Sequence, residues 1–247
     1  METHAQELHK SPGHGWRHYV FEFLMLFLAV FCGFLAENIR ERLEEHHKEK
    51  EYMYSMIEDL KADTIEYNRC ISLISETIIP FQQKSLSLVF LNHYSESDIK
   101  LLYENIPVSL ESITLFLHDR TLQQLKNSGN LRLIRSKVVM DSLAAYWSQC
   151  DKLSGYLFPS YENARKEAKD IYFSLFSLDN YIDYKAWMPI KANTKLNLLS
   201  GDKLPFIKLG NYISNIETQL SVPVLSNLSS AKKMAENLVI LLKKEYK

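Results

Sequence analysis

The residue with the clearest claim to chemistry is Glu22, a lone carboxylate inside the otherwise uncharged run Tyr19–Ala36, YVFEFLMLFLAVFCGFLA. A carboxylate in such a segment is costly, and it faces a partner helix or a water-filled path. It shares one helix face with Leu26, Ala29, Gly33 and Ala36. At about 100° per residue, alternating steps of four and three keep all five within about 40° of a common line. Small side chains on that face permit close helix approach in lipid. The face reads as a packing surface for a second copy or another membrane protein, with Glu22 in its seam, able to titrate. In the alternative reading Glu22, one turn inside the run, snorkels to the interface, where a helix N-terminus favours an anion.

Other reactive side chains form no familiar site. His4, His9, His14 and His18 crowd one short stretch, but their separations are not those of helical metal ligands, and Pro12 and Gly13 interrupt them. A flexible tail over residues 1–18 is expected, with neither metal nor cofactor. His46 and His47 are adjacent, so on a helix they diverge by about 100° and cannot share an ion. His118-Asp119-Arg120 reads as a helix start with Asp119 near the cap, not as part of a nucleophilic triad. No glycine-rich phosphate loop occurs. The best-marked loop is Asn127-Ser128-Gly129-Asn130-Leu131-Arg132. Its glycine suits a positive φ after a helix, and Arg132 and Arg135 can meet a partner; structural capping is the competing reading. Tyr156, Tyr161, Tyr172, Tyr181 and Tyr184 concentrate in one region, which points to aromatic packing or, if exposed, a binding surface.

The elements that carry these residues are helices. Only seven glycines and seven prolines punctuate the 247 residues, too few for a β-sandwich or a doubly wound fold. With 46% hydrophobic and 24% charged residues, wholesale disorder is excluded, and a net charge of -1 offers no footprint for nucleic acid. Residues 19–36, as a helix, span roughly 27 Å, enough for the hydrocarbon core of a bilayer. Trp16, His18 and Tyr19 sit where an interfacial belt belongs. Cleavage after Ala36 would place Phe34 where a signal peptidase wants a small residue, and Phe31 precedes Cys32 where a lipoprotein signal would need one. An uncleaved transmembrane helix is therefore expected, followed by a helical soluble domain over 37–247. Lys10 and Arg17 precede the span, whereas Arg40, Arg42, Lys48 and Lys50 follow it, a count that slightly favours a cytoplasmic C-terminal side.

Beyond the span, the mixed-charge run 37–50 suits a solvated helix. Ile39, Leu43, Met53, Ile57, Leu60, Tyr67, Ile71, Ile74 and Ile78 then recur at steps of three and four, so the helix is expected to run unbroken to about Thr77, with Pro80 ending or kinking it. A second helix follows Pro80, and a third is capped by Ser95 or Ser97 and closes at Asn105, before Pro107. Another helical stretch lies within 109–127. Ser136 caps a second long helix with Val139, Leu143, Tyr146, Cys150, Leu153, Leu157, Ala164, Ile171 and Leu178 inward, kinked at Pro159. Residues 179–202, with Pro189, read as irregular. Two last helices cover about 203–219 and 223–246, the final one with Ala231, Met234, Ala235, Leu238, Leu241 and Leu242 inward. Cys70 and Cys150 are buried small hydrophobes or a single pair, not a disulfide framework.

Two stretches carry a family resemblance. Glu22 in its anchor, then Lys50-Glu51-Tyr52 and Glu58-Asp59-Leu60-Lys61, and further on Ser128-Gly129-Asn130-Leu131, resemble the pattern of an uncharacterised family of bacterial single-span membrane proteins, a domain of unknown function. The resemblance covers about 80 residues directly. It implies no activity; it implies a helical soluble domain and, against the charge count, a domain outside the cytoplasm. The expected protein is all-α, its transmembrane helix continuing into a long helix of a multi-helix bundle. Its expected role is that of a non-enzymatic, self-associating membrane scaffold. The alternative is a subunit of an ion-coupled or signalling complex using Glu22, while a tethered hydrolase finds no motif.

Overall fold

The computed structural model describes residues 15–177 and 196–246. The chain is all-α, and the one β feature among the described residues is an isolated bridge between Phe176 and Leu198. It divides into two compact units, Met1–Glu51 and Tyr52–Lys247, so the division falls beyond the expected boundary at residue 37. The tail residues 1–14 lie outside the described residues, and the last residues of the expected tail, from Trp16 onward, are already helical.

Helix α1 covers Trp16–Ser72. In the first unit its residues 19–36 are all exposed, and the run is apolar and long enough to cross a membrane. Phe23, Phe27 and Phe31, four residues apart, stack along one side with ring centroids 6.4 and 5.9 Å apart. The mixed-charge stretch pairs with itself at helical spacing: Arg40 bridges Glu37 and Glu44, and His46 and His47 turn to Glu49 and Glu51 separately. The exposed pairs among these add little stability and serve mainly to keep the helix solvated, whereas Glu49 is itself buried.

In the second unit the same helix becomes core. Met53, Met56, Ile57, Leu60, Tyr67, Cys70, Ile74 and Ile78 are buried, close to the expected face, with Ile71 only half-buried. Helix α2 (Ile79–Val89) lies against α3 (Glu96–Ser109) and α7 (Lys203–Gln219), α6 (Phe158–Leu175) against α7, and α5 (Lys137–Lys152) against α8 (Leu225–Glu245). The short α4 (Arg120–Asn127) completes the α-helices among the described residues. Ser95 opens α3 with a full capping box, its hydroxyl accepting from Asp98 N–H while Asp98 accepts from Ser95 N–H; Ser136 accepts from Val139 N–H at the start of α5.

Prolines account for most departures from expectation. A proline lacks the N–H for the i−4 carbonyl and its ring collides with that carbonyl. At Pro80, Pro159 and Pro223 the chain meets this with one widened π-helical turn: Leu73–Ile78, Leu153–Leu157 and Leu220–Val224. The N–H groups of Ile79, Phe158 and Leu225 reach back five residues, to Ile74, Leu153 and Leu220. α1 therefore passes into α2, α5 into α6 and α7 into α8 without a loop. The two expected last helices are present and join through a π turn, and Pro80 does not end the first helix. Each π turn inserts one residue into the register. After Leu157 the buried face accordingly moves to Tyr161, Ala168, Tyr172 and Leu175, leaving Ala164 and Ile171 half-buried. Leu178 and most of 179–202, including Pro189, lie outside the described residues. Pro107 does not stop α3, which runs on to Ser109. In α8, Ala231, Ala235, Leu238 and Leu242 are fully inward, with Met234 and Leu241 packed at the margin.

Within residues 109–127 the expected helical stretch is Arg120–Asn127, and residues 111–119 form an irregular strap that the sequence reading did not anticipate. Ile113 is buried and Leu115 and Leu117 half-buried, whereas Ser112, Thr114, Phe116 and His118 face outward. That alternation has period two, which no helix can satisfy.

Candidate functional site

A strap outside any sheet must find partners for its backbone. Residues 114–121 find them on α1. Asp59, Asp63 and Glu66, spaced four and three, stand on one helix face. Glu66 Oε1 accepts Phe116 N–H at 2.9 Å, Asp63 Oδ1 accepts His118 N–H at 2.7 Å, and Asp59 Oδ2 accepts Thr121 N–H at 3.0 Å. The Arg69 guanidinium donates to the Thr114 carbonyl. A row of helix side chains thus stands in for a neighbouring strand. At the strap's other end, Gln82 Nε2 donates to Ser109 O, the Tyr161 hydroxyl to Glu111 O, and Ser112 to Glu162.

The middle carboxylate begins a deeper chain of hydrogen bonds. Tyr146 O–H donates to Asp63 Oδ2 at 2.5 Å, so with Asp63 ionised Tyr67 O–H donates to Tyr146 across 3.1 Å, and the Cys150 thiol to Tyr67 across 3.3 Å. His118 Nδ1 meets Asp63 Oδ1 at 3.1 Å. Burial pushes the Asp63 carboxyl above its usual range, against the hydrogen bonds from Tyr146 and His118. Arg69, aided by Phe116 N–H, holds Glu66 below that range although partial burial works the other way. Burial raises the Tyr67 and Tyr146 phenols so far that both stay protonated. Beside this chain lies a cavity of about 250 Å³ whose lining includes Met56, Leu60, Leu115, Leu117, Leu122, Trp147, Asp63, His118 and Tyr146. Such an arrangement can hold and redistribute a proton, and no group of three metal-ligating side chains occurs among the described residues.

Both cysteines of the second unit are buried thiols in separate contacts, Cys70 beside the Thr114 carbonyl and Cys150 beside Tyr67. Burial pushes Cys70 up to about 11 and raises Cys150 as well. At pH 8 a thiol with that value is ionised to roughly one part in a thousand. Ellman's reagent at pH 8 should therefore leave both unmodified in the folded protein and label both after denaturation; rapid labelling of the native protein would contradict the burial.

The residues singled out from sequence fall in two places. Glu22, Leu26, Ala29, Gly33 and Ala36 are exposed on α1, and a methyl group at Gly33 would meet nothing within 4 Å beyond its own stretch of helix backbone. In the loop, Asn127 and Ser128 end α4 and Gly129 takes φ 68°, the left-handed conformation expected of it. Asn130 then donates to the Tyr52 hydroxyl at 2.9 Å, which gives the loop a structural tie to α1, while Arg132 and Arg135 face outward. His118 belongs with Asp63 and Asp119 precedes α4 without capping it through its side chain. Tyr156 is exposed, Tyr161 and Tyr172 are buried, and Tyr181 and Tyr184 lie outside the described residues. The carboxylate row on α1 went unread in sequence; two of its signals were the 59-63-66 spacing and the period-two run Ile113-Leu115-Leu117. No protein-family model matches this chain, nor does any curated protein or solved structure.

Proposed function

We propose that this is a single-span anchored protein of a bacterial inner membrane, resembling the uncharacterised family noted above, that works as a non-enzymatic interaction scaffold. In this reading its helices from Tyr52 onward gather as a bundle around α1, with α5–α6 as the second long, kinked member. One observation carries the anchoring: residues 19–36 place Phe21, Phe23, Met25, Leu26, Phe27, Val30, Phe31 and Phe34 on an uncovered helix, a load of apolar surface that a helix in water does not tolerate. Self-association through Glu22, Leu26, Ala29, Gly33 and Ala36 follows from the small side chains on that face. The helical unit then lies outside the cytoplasm, as the resemblance implies. Detergent-solubilised protein should run larger than one chain, and Glu22→Gln should change that size; a strict monomer, or an oligomer indifferent to Glu22→Gln, removes the seam. A compartment reporter fused after Lys247 tests the orientation.

A second reading, a subunit of an ion-coupled or signalling complex, is favoured by the position of Glu22 on a helix face shared with Met25 and Leu26. Copurification of a multi-span partner would support it over the scaffold.

A further inference from the structure

We propose that a proton shared by Asp63 and His118 latches the strap 111–119 onto α1, and that its loss as the pH rises loosens the strap and opens the cavity walled by Leu115 and Leu117. Of the three α1 carboxylates that clasp the strap, the outer two have permanent cations: Arg120 lies 3.7 Å from Asp59 and Arg69 2.7 Å from Glu66. Asp63, the middle one, has a side chain only 5% exposed, and among the described residues its one cationic partner is His118, charged only when protonated.

The other groups around Asp63 supply no substitute. On α1, Asp59 and Glu66 carry the same sign and Tyr67 is neutral; on α5, Tyr146 and Cys150 are neutral and Asp151 is acidic. The strap adds Asp119. On α4, Arg120 is engaged by Asp59 and the Lys126 ammonium lies over Trp147, 5.8 Å from the ring centroid. Without the shared proton, a buried carboxylate faces neutral donors alone, the costly case. With it, the pair is either carboxylate and imidazolium or carboxylic acid and imidazole, and both keep the clasp.

The sign of the linkage agrees. Burial raises the Asp63 carboxyl in the closed form, so the closed strap binds the proton more tightly than the open one. Closure is therefore fully favoured below the ordinary carboxylate range and weakens as the pH passes upward through the raised value.

The test is amide hydrogen exchange on the full chain in mild detergent, corrected for intrinsic rates, at pH 3, below the ordinary carboxylate range, and at pH 8. Protection over 114–121 should fall about tenfold between the two, the factor expected when the closed strap holds the proton about ten times more tightly than the open one, while α3 (residues 96–109) stays constant. Asp63→Asn keeps an acceptor for His118 N–H and should hold the strap protected at both pH values. A strap response equal to that of α3 overturns the proposal, as does an undiminished response in Asp63→Asn. If that variant fails to fold, the wild-type comparison of strap with α3 still decides.

Discussion

Arginine in place of Phe27 is expected to remove the chain from the membrane fraction. Phe27 stands in the middle of residues 19–36, stacked between Phe23 and Phe31. The run spans roughly 27 Å, so it has no spare turns with which to slide a charge toward the headgroups. An arginine at a span centre costs about 2.5–3.5 kcal/mol in insertion, and the lost phenylalanine adds a few tenths, together a shift of more than roughly a hundredfold. Alkaline carbonate extraction measures it: wild type and Phe27→Leu stay in the pellet, and Phe27→Arg appears in the supernatant or is degraded. Retention of the arginine variant would mean that something other than this helix holds the protein.

The second large effect lies farther along the same helix. Ile74 is fully buried inside the π turn that precedes Pro80, whereas Ile65 is 71% exposed. Ile74→Ala removes packed methylenes and leaves a cavity, costing about 2–5 kcal/mol. Ile65→Ala should stay within about 0.5 kcal/mol of wild type. For a unit of this size each kcal/mol moves the melting temperature by roughly 2–4 °C, so the two variants separate clearly in a thermal scan. Equal destabilisation would mean that α1 presents a different face to the core.

Much of the fold was legible because helices advertise themselves by period. Met53, Ile57, Leu60, Tyr67, Ile74 and Ile78 mark the inner face of α1 without help from tertiary context, and Ser95 and Ser136 mark helix starts by chemistry that is local. Prolines misled because their effect depends on what the surrounding turns can absorb. Pro80 read as an end or a kink, Pro159 as a kink and Pro223 as a helix start, yet one widened turn accommodates each. The strap was missed for a related reason: its backbone partners are side chains some 50 to 60 residues earlier, Glu66, Asp63 and Asp59. A row of acidic residues on a helix face ordinarily means solvent, and nothing local distinguishes a row that accepts backbone N–H groups. Gly129 was legible because only its position after a helix mattered, whereas the tie from Asn130 to Tyr52 was not.

The Tyr54 hydroxyl donates to the carbonyl of Tyr246, a partner 192 residues away in sequence. Translation runs in the opposite order to that closure. Residues 19–36 leave the ribosome early, while Tyr54 waits for nearly the whole remaining chain before its partner at Tyr246 arrives. During that interval the nascent protein carries two sticky surfaces, one suited to lipid and one that must be kept from it. The charged stretch Glu37 to Lys50 separates the two along the chain.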